Sequence, residues 1–179
     1  DDQVPIRILP AFQAFHGTHG AEGGAGHVRA LMARNTDRLR YGLVKMMLDG
    51  SIQGFSARLR WPGHYNGAPN GIWVTAPAQY EADFETYHRA GLLIHTHTNG
   101  DEASEAAIDA IGRVLARAPR PDHRHTLGHA HCGLQLPLAG MPGRLFDQVH
   151  GKHLRLDVSM LHPASRRENQ HARQSTITP

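Results

Sequence analysis

The sequence has little of what marks secreted or membrane proteins. Cys132 is its only cysteine, so no disulfide can form within the chain, as is usual for cytoplasmic proteins. No apolar run is long enough to span a bilayer. Residues 1–5 show neither the basic start nor the apolar stretch of a signal peptide. We therefore predict a cytoplasmic protein that is not inserted in a membrane.

Lysine is also scarce, since Lys45 and Lys152 are the only two, and arginine carries nearly all of the basic charge. The net charge is +3 and the isoelectric point about 9.4, but the arginines are scattered rather than clustered. A basic isoelectric point without a supporting motif is weak evidence for nucleic-acid binding. A basic nucleic-acid binder is therefore the last of three functional hypotheses.

Histidine, in contrast, is abundant, with 15 among 179 residues. Histidine is the commonest metal ligand in proteins. Hydrophobic residues make up 40% and charged residues 20%, which is typical of a globular domain. We assign several of the histidines to the surface, namely His16, His19, His27, His64 and His88.

Apolar runs and amphipathic segments alternate along the first three quarters of the chain. Strands are predicted at 4–9, 43–48, 92–97 and 125–129, and helices at 28–39, 77–90 and 102–118. Thr75 is the predicted cap of the second helix and Gly91 its predicted end. Gly-rich loops are predicted at 16–26 and 54–70. This alternation predicts βαβ units with a parallel sheet, and hence an α/β fold.

The remaining segment, 133–179, loses this pattern. A strand is conceivable at 155–160, whereas 162–179 is polar and lacks an apolar face, which is typical of disorder. The Arg-, Pro-, His- and Gln-rich composition would also fit an out-of-frame reading of GC-rich DNA. We predict a boundary near residue 132, followed by an atypical tail.

Chemically active side chains gather at the predicted strand ends. Residues two apart on a strand share a face, so His95 and His97 point the same way, as do His129 and His131. Lys45 lies inside a strand that reads as buried. The carboxyl ends of parallel barrel strands form one rim. Clustered histidines with an open position are what a zinc hydrolase site requires, so we favour a metal site here.

Lys45 and the two histidines before the last strand keep alternatives open. A buried, neutral Lys45 could react with carbon dioxide to form a carbamate ligand, or it could pair with Asp49. His123 and His125 precede the last strand and are predicted to be structural or exposed. Cys132 is more typical of an inert buried thiol than of a ligand.

Several segments, in order, resemble the amidohydrolase superfamily, in the branch of N-substituted formamide deformylase and related YtcJ-like proteins. They are 44–54, 56–63, 65–73, 97–101 and 121–127. The match covers about residues 4–132. It implies the central part, about strands three to six, of a (β/α)8 TIM-type barrel with both ends missing.

The resemblance also implies a metal site. Lys45 would be the carboxylated lysine, and His97 and His129 would be ligands of one or two divalent metal ions, with zinc expected. His95 matches no ligand of the family. Arg58, Trp61 and Tyr65 would lie near an amide or formamide substrate. The implied activity is hydrolysis of a C–N bond.

The match is incomplete. The histidine pair of the family's first strand and the aspartate of its eighth have no counterpart, so no catalytic residue is assigned. We expect an incomplete fragment, inactive alone. A non-enzymatic, His-rich metal-binding module is the alternative. Open sheet edges also predict a homo-oligomer or an aggregation-prone chain.

Overall fold

The computed structural model describes residues 6–14 and 20–129 in full. For 144–149 and 152–157 it describes the backbone. The strands are β1 (Ala11–Gln13), β2 (Leu43–Met47), β3 (Leu93–His97), β4 (Thr126–Gly128), β5 (Arg144–Val149) and β6 (Lys152–Asp157). The helices are α1 (Gly20–Met32), α2 (Pro77–Arg89) and α3 (Asp101–Arg117).

The strands form a single sheet in the order of the sequence, β1-β2-β3-β4-β5-β6. Strands β1 to β5 pair in parallel, and β6 runs antiparallel to β5. Helices α1, α2 and α3 connect the first four strands in turn. Sequential parallel strands joined by helices form the architecture of a (β/α) barrel, so the predicted α/β fold with partial-barrel topology is confirmed.

The hydrophobic core lies between the sheet and the helices. Val44 and Met46 of β2, Ile94 of β3 and Leu127 of β4 are buried there. The helices contribute Tyr80, Phe84, Tyr87, Ile111, Val114 and Leu115. We call this helix-covered side of the sheet the outer face. The alternate residues of β2 and β3 are half-buried and lie on the other side, which we call the inner face.

The first helix and the first strand differ from the prediction. Helix α1 begins at Gly20, inside the predicted Gly-rich loop. A side chain at position 24 would be crowded, because its Cβ would lie 2.6 Å from the Tyr87 hydroxyl and 2.9 Å from the Phe12 ring. Close packing therefore requires glycine within the helix. Strand β1 begins after Pro10, since proline cannot donate to a ladder.

Helices α2 and α3 match their predicted bounds to within one residue. The predicted cap is wrong, however. Ala76 is the N-cap of α2 and makes no side-chain cap bond, whereas the Thr75 hydroxyl donates to the Met47 carbonyl at 2.8 Å. Thr75 therefore joins the start of α2 to the end of β2.

Strand β6 overlaps the strand proposed at 155–160 in its first half, and the rest of that segment lies outside the described residues. The predicted disorder at 162–179 lies outside them too, and the predicted boundary near 132 stays a prediction. Within the described part of the chain, no helix has the length and apolarity needed to cross a membrane.

Candidate metal centre

Parallel register places the inner-face residues of neighbouring strands in two rows. Gln13, Lys45, His95 and Thr126 are paired across four neighbouring strands. One step toward the carboxyl ends of the strands, Met47, His97 and Gly128 form the next row. Period-two alternation therefore brings Lys45, His95 and His97 to the same face, as the sequence predicted.

Lys45 is a half-buried cation without a carboxylate partner among the described residues. Burial lowers the pKa of its ammonium group below the usual value. The predicted alternative, a pair with Asp49, is not found. Asp49 instead accepts the backbone N–H groups of Asn99 at 2.9 Å, Gly100 at 2.8 Å and Arg58 at 3.0 Å.

Burial raises the pKa of the Asp49 carboxyl, and those three N–H groups and the nearby His97 oppose the rise. The carboxylate is fully buried. Its role is structural, because it holds the turn after β3 against the loop after β2. Sequence reasoning did not identify this role.

His97 lies at the carboxyl end of β3. Its Nε2 is 3.0 Å from the Gly50 carbonyl, which also accepts a hydrogen bond from the Asn99 amide at 2.7 Å. When Nε2–H donates to Gly50, the lone pair of Nδ1 remains for a metal ion. A backbone carbonyl on the opposite ring nitrogen is the usual way in which a metal-binding histidine is oriented.

His129 directly follows β4 and meets His97. Their ring centroids are 5.0 Å apart with an interplanar angle of 59°. His129 is exposed and has a φ of 72°, an uncommon backbone conformation outside glycine. The structure therefore brings together two of the three predicted ligands, one from each of two neighbouring strand ends.

His95 lies between Lys45 and these two imidazoles. Its Nδ1 is 3.0 Å from the Thr126 hydroxyl, and its ring covers Gly128, where a Cβ would collide with it. Burial, together with the nearby Lys45, His129 and His97, lowers the pKa of His95 to about 4. His95 is therefore a neutral side chain that fills the floor of the site.

The described ranges, 6–14 and 20–129, contain no group of three or more His, Cys, Asp or Glu side chains placed to hold a metal ion. The imidazoles of His97 and His129 would supply two nitrogen ligands. A third ligand would come from Lys45, once carboxylated. This set of donors fits a divalent metal ion with an open coordination position.

The predicted substrate-binding residues lie on the loop between β2 and α2. Arg58 is tied into the scaffold: its guanidinium pairs with Glu102 at 2.8 Å, donates to the Gly71 carbonyl at 3.0 Å and lies 4.9 Å from the Trp73 ring centre. Trp61 and Tyr65 are 95% and 93% exposed. A substrate role for these three residues stays a prediction.

Two histidines assigned to the surface are buried instead. His64 is 5% exposed and its Nε2 lies 3.1 Å from the Ala57 carbonyl. His88 is 3% exposed and bonds His125 on the outer face. The sequence alone could not show that each imidazole would meet a carbonyl or a second imidazole. His123 and His125 were predicted to be structural or exposed. Both are buried, so the structural alternative remains.

Comparison with solved structures supports the same fold. An uncharacterized metal-dependent hydrolase from Pyrococcus furiosus aligns with a TM-score of 0.53 and 20% identity over 72% of this chain. A second such hydrolase, from Pyrococcus horikoshii OT3, aligns with a TM-score of 0.51 and 19% identity, also over 72% of this chain.

The aligned part is 25% and 24% of those two chains, so this chain spans about a quarter of each. At this identity the likeness shows the shared fold. No protein-family model matches the sequence, and no curated protein matches it.

Proposed function

We propose that the chain is part of a metal-dependent hydrolase that acts on the C–N bond of an amide or formamide. The observation that carries the proposal is the meeting of His97 and His129, with centroids 5.0 Å apart, on the face that holds the desolvated Lys45. The solved structures that share the fold are described as metal-dependent hydrolases, which supports the same class. The YtcJ-like branch rests on the motifs in the sequence.

Each group of residues would have a separate role in this hydrolase site. His97 and His129 would hold the ion through ring nitrogens. When bound, a divalent ion lowers the pKa of a water molecule and polarises a carbonyl oxygen. His95, neutral and bonded to Thr126, excludes water from the floor without competing for protons. Trp61 and Tyr65 would pack against an apolar substituent on the substrate nitrogen.

Lys45 would complete the ligand set through a covalent change. The neutral amine attacks the carbon of carbon dioxide, a new N–C bond forms, and one proton leaves to solvent. The product is a carbamate with one negative charge. A lowered pKa favours this reaction because it raises the fraction of neutral amine. No residue of the chain is assigned as the proton shuttle.

Metal analysis of the purified chain tests the proposal. We expect one or two zinc ions per chain, and a loss of metal in the variant Lys45→Ala/His97→Ala/His129→Asn. Asparagine at 129 preserves tolerance of the positive φ. His27→Gln, on the exposed side of α1, is the matched control and should keep the metal. Metal retained by the triple variant would overturn the proposed centre.

Activity is a separate test. Hydrolysis of N-substituted formamides would be followed by release of formate, with the zinc-loaded protein and the triple variant side by side. Formate release that requires Lys45, His97 and His129 would place the chemistry at this centre. A metal-loaded chain that hydrolyses no amide agrees with the expected inactive fragment, and the concentration dependence of metal binding then separates it from the second candidate.

That second candidate is a non-enzymatic metal-binding module. One observation favours it, namely that the described residues offer two converging imidazoles rather than three. Such a module would bind metal through histidines of two subunits, because each chain brings an incomplete set. It predicts metal binding that depends on the concentration of the protein.

Nucleic-acid binding is the weakest candidate, because many arginines are already paired with carboxylates. The pairs are Arg58–Glu102, Arg60–Glu105, Arg89–Glu85, Arg113–Glu81, Arg117–Glu85 and Arg124–Asp122. Paired guanidinium groups contribute little to a basic surface. A salt-sensitive affinity for DNA would reverse this ranking.

Self-association is the remaining part of the proposal. β1 lies at one edge of the sheet, and near it Ile6, Ile8 and Leu9 are 58%, 48% and 51% exposed. Unpaired strand edges beside apolar side chains favour association. Light scattering should therefore give a mass above that of one chain, and a monodisperse monomer would contradict this part.

A further inference from the structure

Three buried histidines on the outer face have no part in the proposed metal centre. His88 belongs to α2, whereas His123 and His125 lie in the connection between α3 and β4. His125 is fully buried, and His123 and His88 are 1% and 3% exposed. Three buried imidazoles in contact need an explanation, since each one could take up a proton near neutral pH.

Hydrogen bonds determine the tautomer of each ring in the His88–His125 pair. The Ile94 backbone N–H donates to His125 Nδ1 at 3.2 Å, so Nδ1 carries no proton and Nε2 does. His125 Nε2–H then donates to His88 Nδ1 at 2.8 Å. His88 Nε2–H in turn donates to the Ala118 carbonyl at 2.7 Å. We call this series, from Ile94 through His125 and His88 to Ala118, the histidine chain.

The histidine chain has no place for another proton. A proton added to His125 Nδ1 would face the Ile94 N–H, and one added to His88 Nδ1 would face the His125 N–H. If the shared proton moves from His125 Nε2 to His88 Nδ1, the extra proton must sit on His125 Nδ1, where it again faces the Ile94 N–H. Every protonated form therefore breaks at least one hydrogen bond, and a broken buried bond is costly.

Nearby charges add to the conflict. The Arg120 guanidinium donates to the carbonyls of His88, Leu92 and His123 at 3.0, 2.8 and 3.0 Å, so a fixed cation lies within the cluster. From α2, Arg89 also opposes protonation of His88, whereas Glu85 favours it. Asp122 favours protonation of His123, but it already pairs with Arg124 at 2.8 Å.

The bond most easily opened is the one at Ile94. His88 is held in a 13-residue helix, whereas β4 has three residues and follows Arg124, whose φ is 54°. The bond from Ile94 to His125 joins the start of β4 to β3 on the outer face. The next residue, Thr126, makes the corresponding bond to His95 on the inner face, at 3.0 Å.

We propose that the histidine chain is an acid-sensitive switch that joins β4 to β3 and releases the start of β4 when a proton is taken up. Because β4 ends at Gly128, its release separates His129 from His97. The switch itself does not depend on the proposed hydrolase function. Only its effect on a bound metal does.

The direction of the pH effect follows from proton linkage. Burial holds the pKa of His125 at about 2 and lowers that of His88, in both cases below the usual 6.5 of an unpaired histidine. The open form binds more protons than the closed form, so the closed form loses stability as the pH falls below 6.5. The closed form is fully stabilised above that pH.

Amide hydrogen exchange of the full chain at pH 7 to 4, corrected for the intrinsic exchange rate, tests the switch. The opening constant at Ile94 should rise about tenfold per pH unit for each proton taken up. The Val28 amide in α1 should keep its protection. Loss of protection at both sites together, or at neither, would overturn the proposal.

Nitrogen-15 spectra of the imidazoles supply an independent measurement. At pH 7 they should show His125 and His88 protonated at Nε2 and not at Nδ1. On acidification both signals should change together with the opening of Ile94. Titration of His88 or His125 while Ile94 stays protected would overturn the coupling, as would an Nδ1-protonated His125.

Variants separate the histidine chain from the other histidines. In His125→Gln the amide oxygen can accept from Ile94 and the amide nitrogen can donate to His88, without a titrating group. We expect a smaller pH dependence of Ile94 exchange in this variant and no change in His27→Gln, the matched control. A full pH dependence in a folded His125→Gln protein would overturn the proposal, and the wild-type measurements decide if that variant does not fold.

Discussion

The two faces of one sheet use histidine in opposite ways. On the outer face, His88 and His125 have both ring nitrogens bonded to protein groups. On the inner face, His97 bonds the Gly50 carbonyl through Nε2, and its Nδ1 makes no bond to a described residue. A filled set of bonds gives stability, whereas a ring nitrogen without a protein partner gives capacity for a ligand. Composition alone, with 15 histidines, cannot separate the two.

The largest expected difference between the faces is in stability. His125→Ala removes the acceptor for Ile94, leaves His88 Nδ1 without its donor and opens a cavity, so we expect a loss of about 3–5 kcal/mol in the free energy of unfolding. His129→Asn, on the inner face, should cost about 0.5 kcal/mol or less. Urea denaturation in metal-free buffer measures both, and equal losses would remove the distinction.

Zinc should stabilise the protein through the histidines of the inner face, so that changes there become costly when the metal is bound. A ligand at one hundred times its dissociation constant stabilises the native state by about 2.7 kcal/mol. We expect that gain in the wild-type protein and in His27→Gln, and its disappearance in His97→Ala/His129→Asn. Thermal unfolding with and without zinc gives the measurement. A zinc effect that survives the double change would place the metal elsewhere.

Gly128 tests how tightly the inner face is packed. A Cβ at this position collides with the His95 imidazole, so Gly128→Ala should destabilise the chain by about 1–3 kcal/mol. In a His95→Ala background the same change should cost much less, because the obstructing ring is gone. A double-mutant cycle measures this coupling. Additive losses would show that the collision is relieved in another way.

The smallest effect concerns the bond between Thr126 and His95. Thr126→Val removes the hydroxyl and keeps the shape, so we expect a loss of about 1 kcal/mol. Thr86→Val is the control, because its hydroxyl bonds the Ala82 carbonyl within an exposed helix turn and should matter less. Similar losses in the two variants would mean that the inner-face bond has no special weight.

Local patterns predicted the regular elements well. The alternation in β2 and β3 and the apolar stripe of α3 are properties of short segments, so they can be read from the sequence. The start of α1 could not be predicted, because glycine at position 24 leaves room for the Tyr87 hydroxyl, which comes from far along the chain. Thr75 likewise bonds β2 rather than its own helix.

The candidate site likewise has a part that could be predicted from the sequence and a part that could not. The shared face of Lys45, His95 and His97 follows from strand periodicity and was predictable. The partners that orient them were not, since the Gly50 carbonyl and the Thr126 hydroxyl reach the histidines from other elements. His88 and His64 were assigned wrongly for the same reason, because burial depends on how distant elements meet.

Asp49 has a consequence for the order of folding. Its carboxylate bonds Arg58, nine residues away, but also Asn99 and Gly100, which are 50 and 51 residues away. Contacts of high sequence separation form only after the chain has closed the intervening loop. The long loop that carries Trp61 and Tyr65 can therefore acquire its final shape only after β2 and β3 have paired. We expect its aromatic side chains to reach their native environment late, after the sheet has formed.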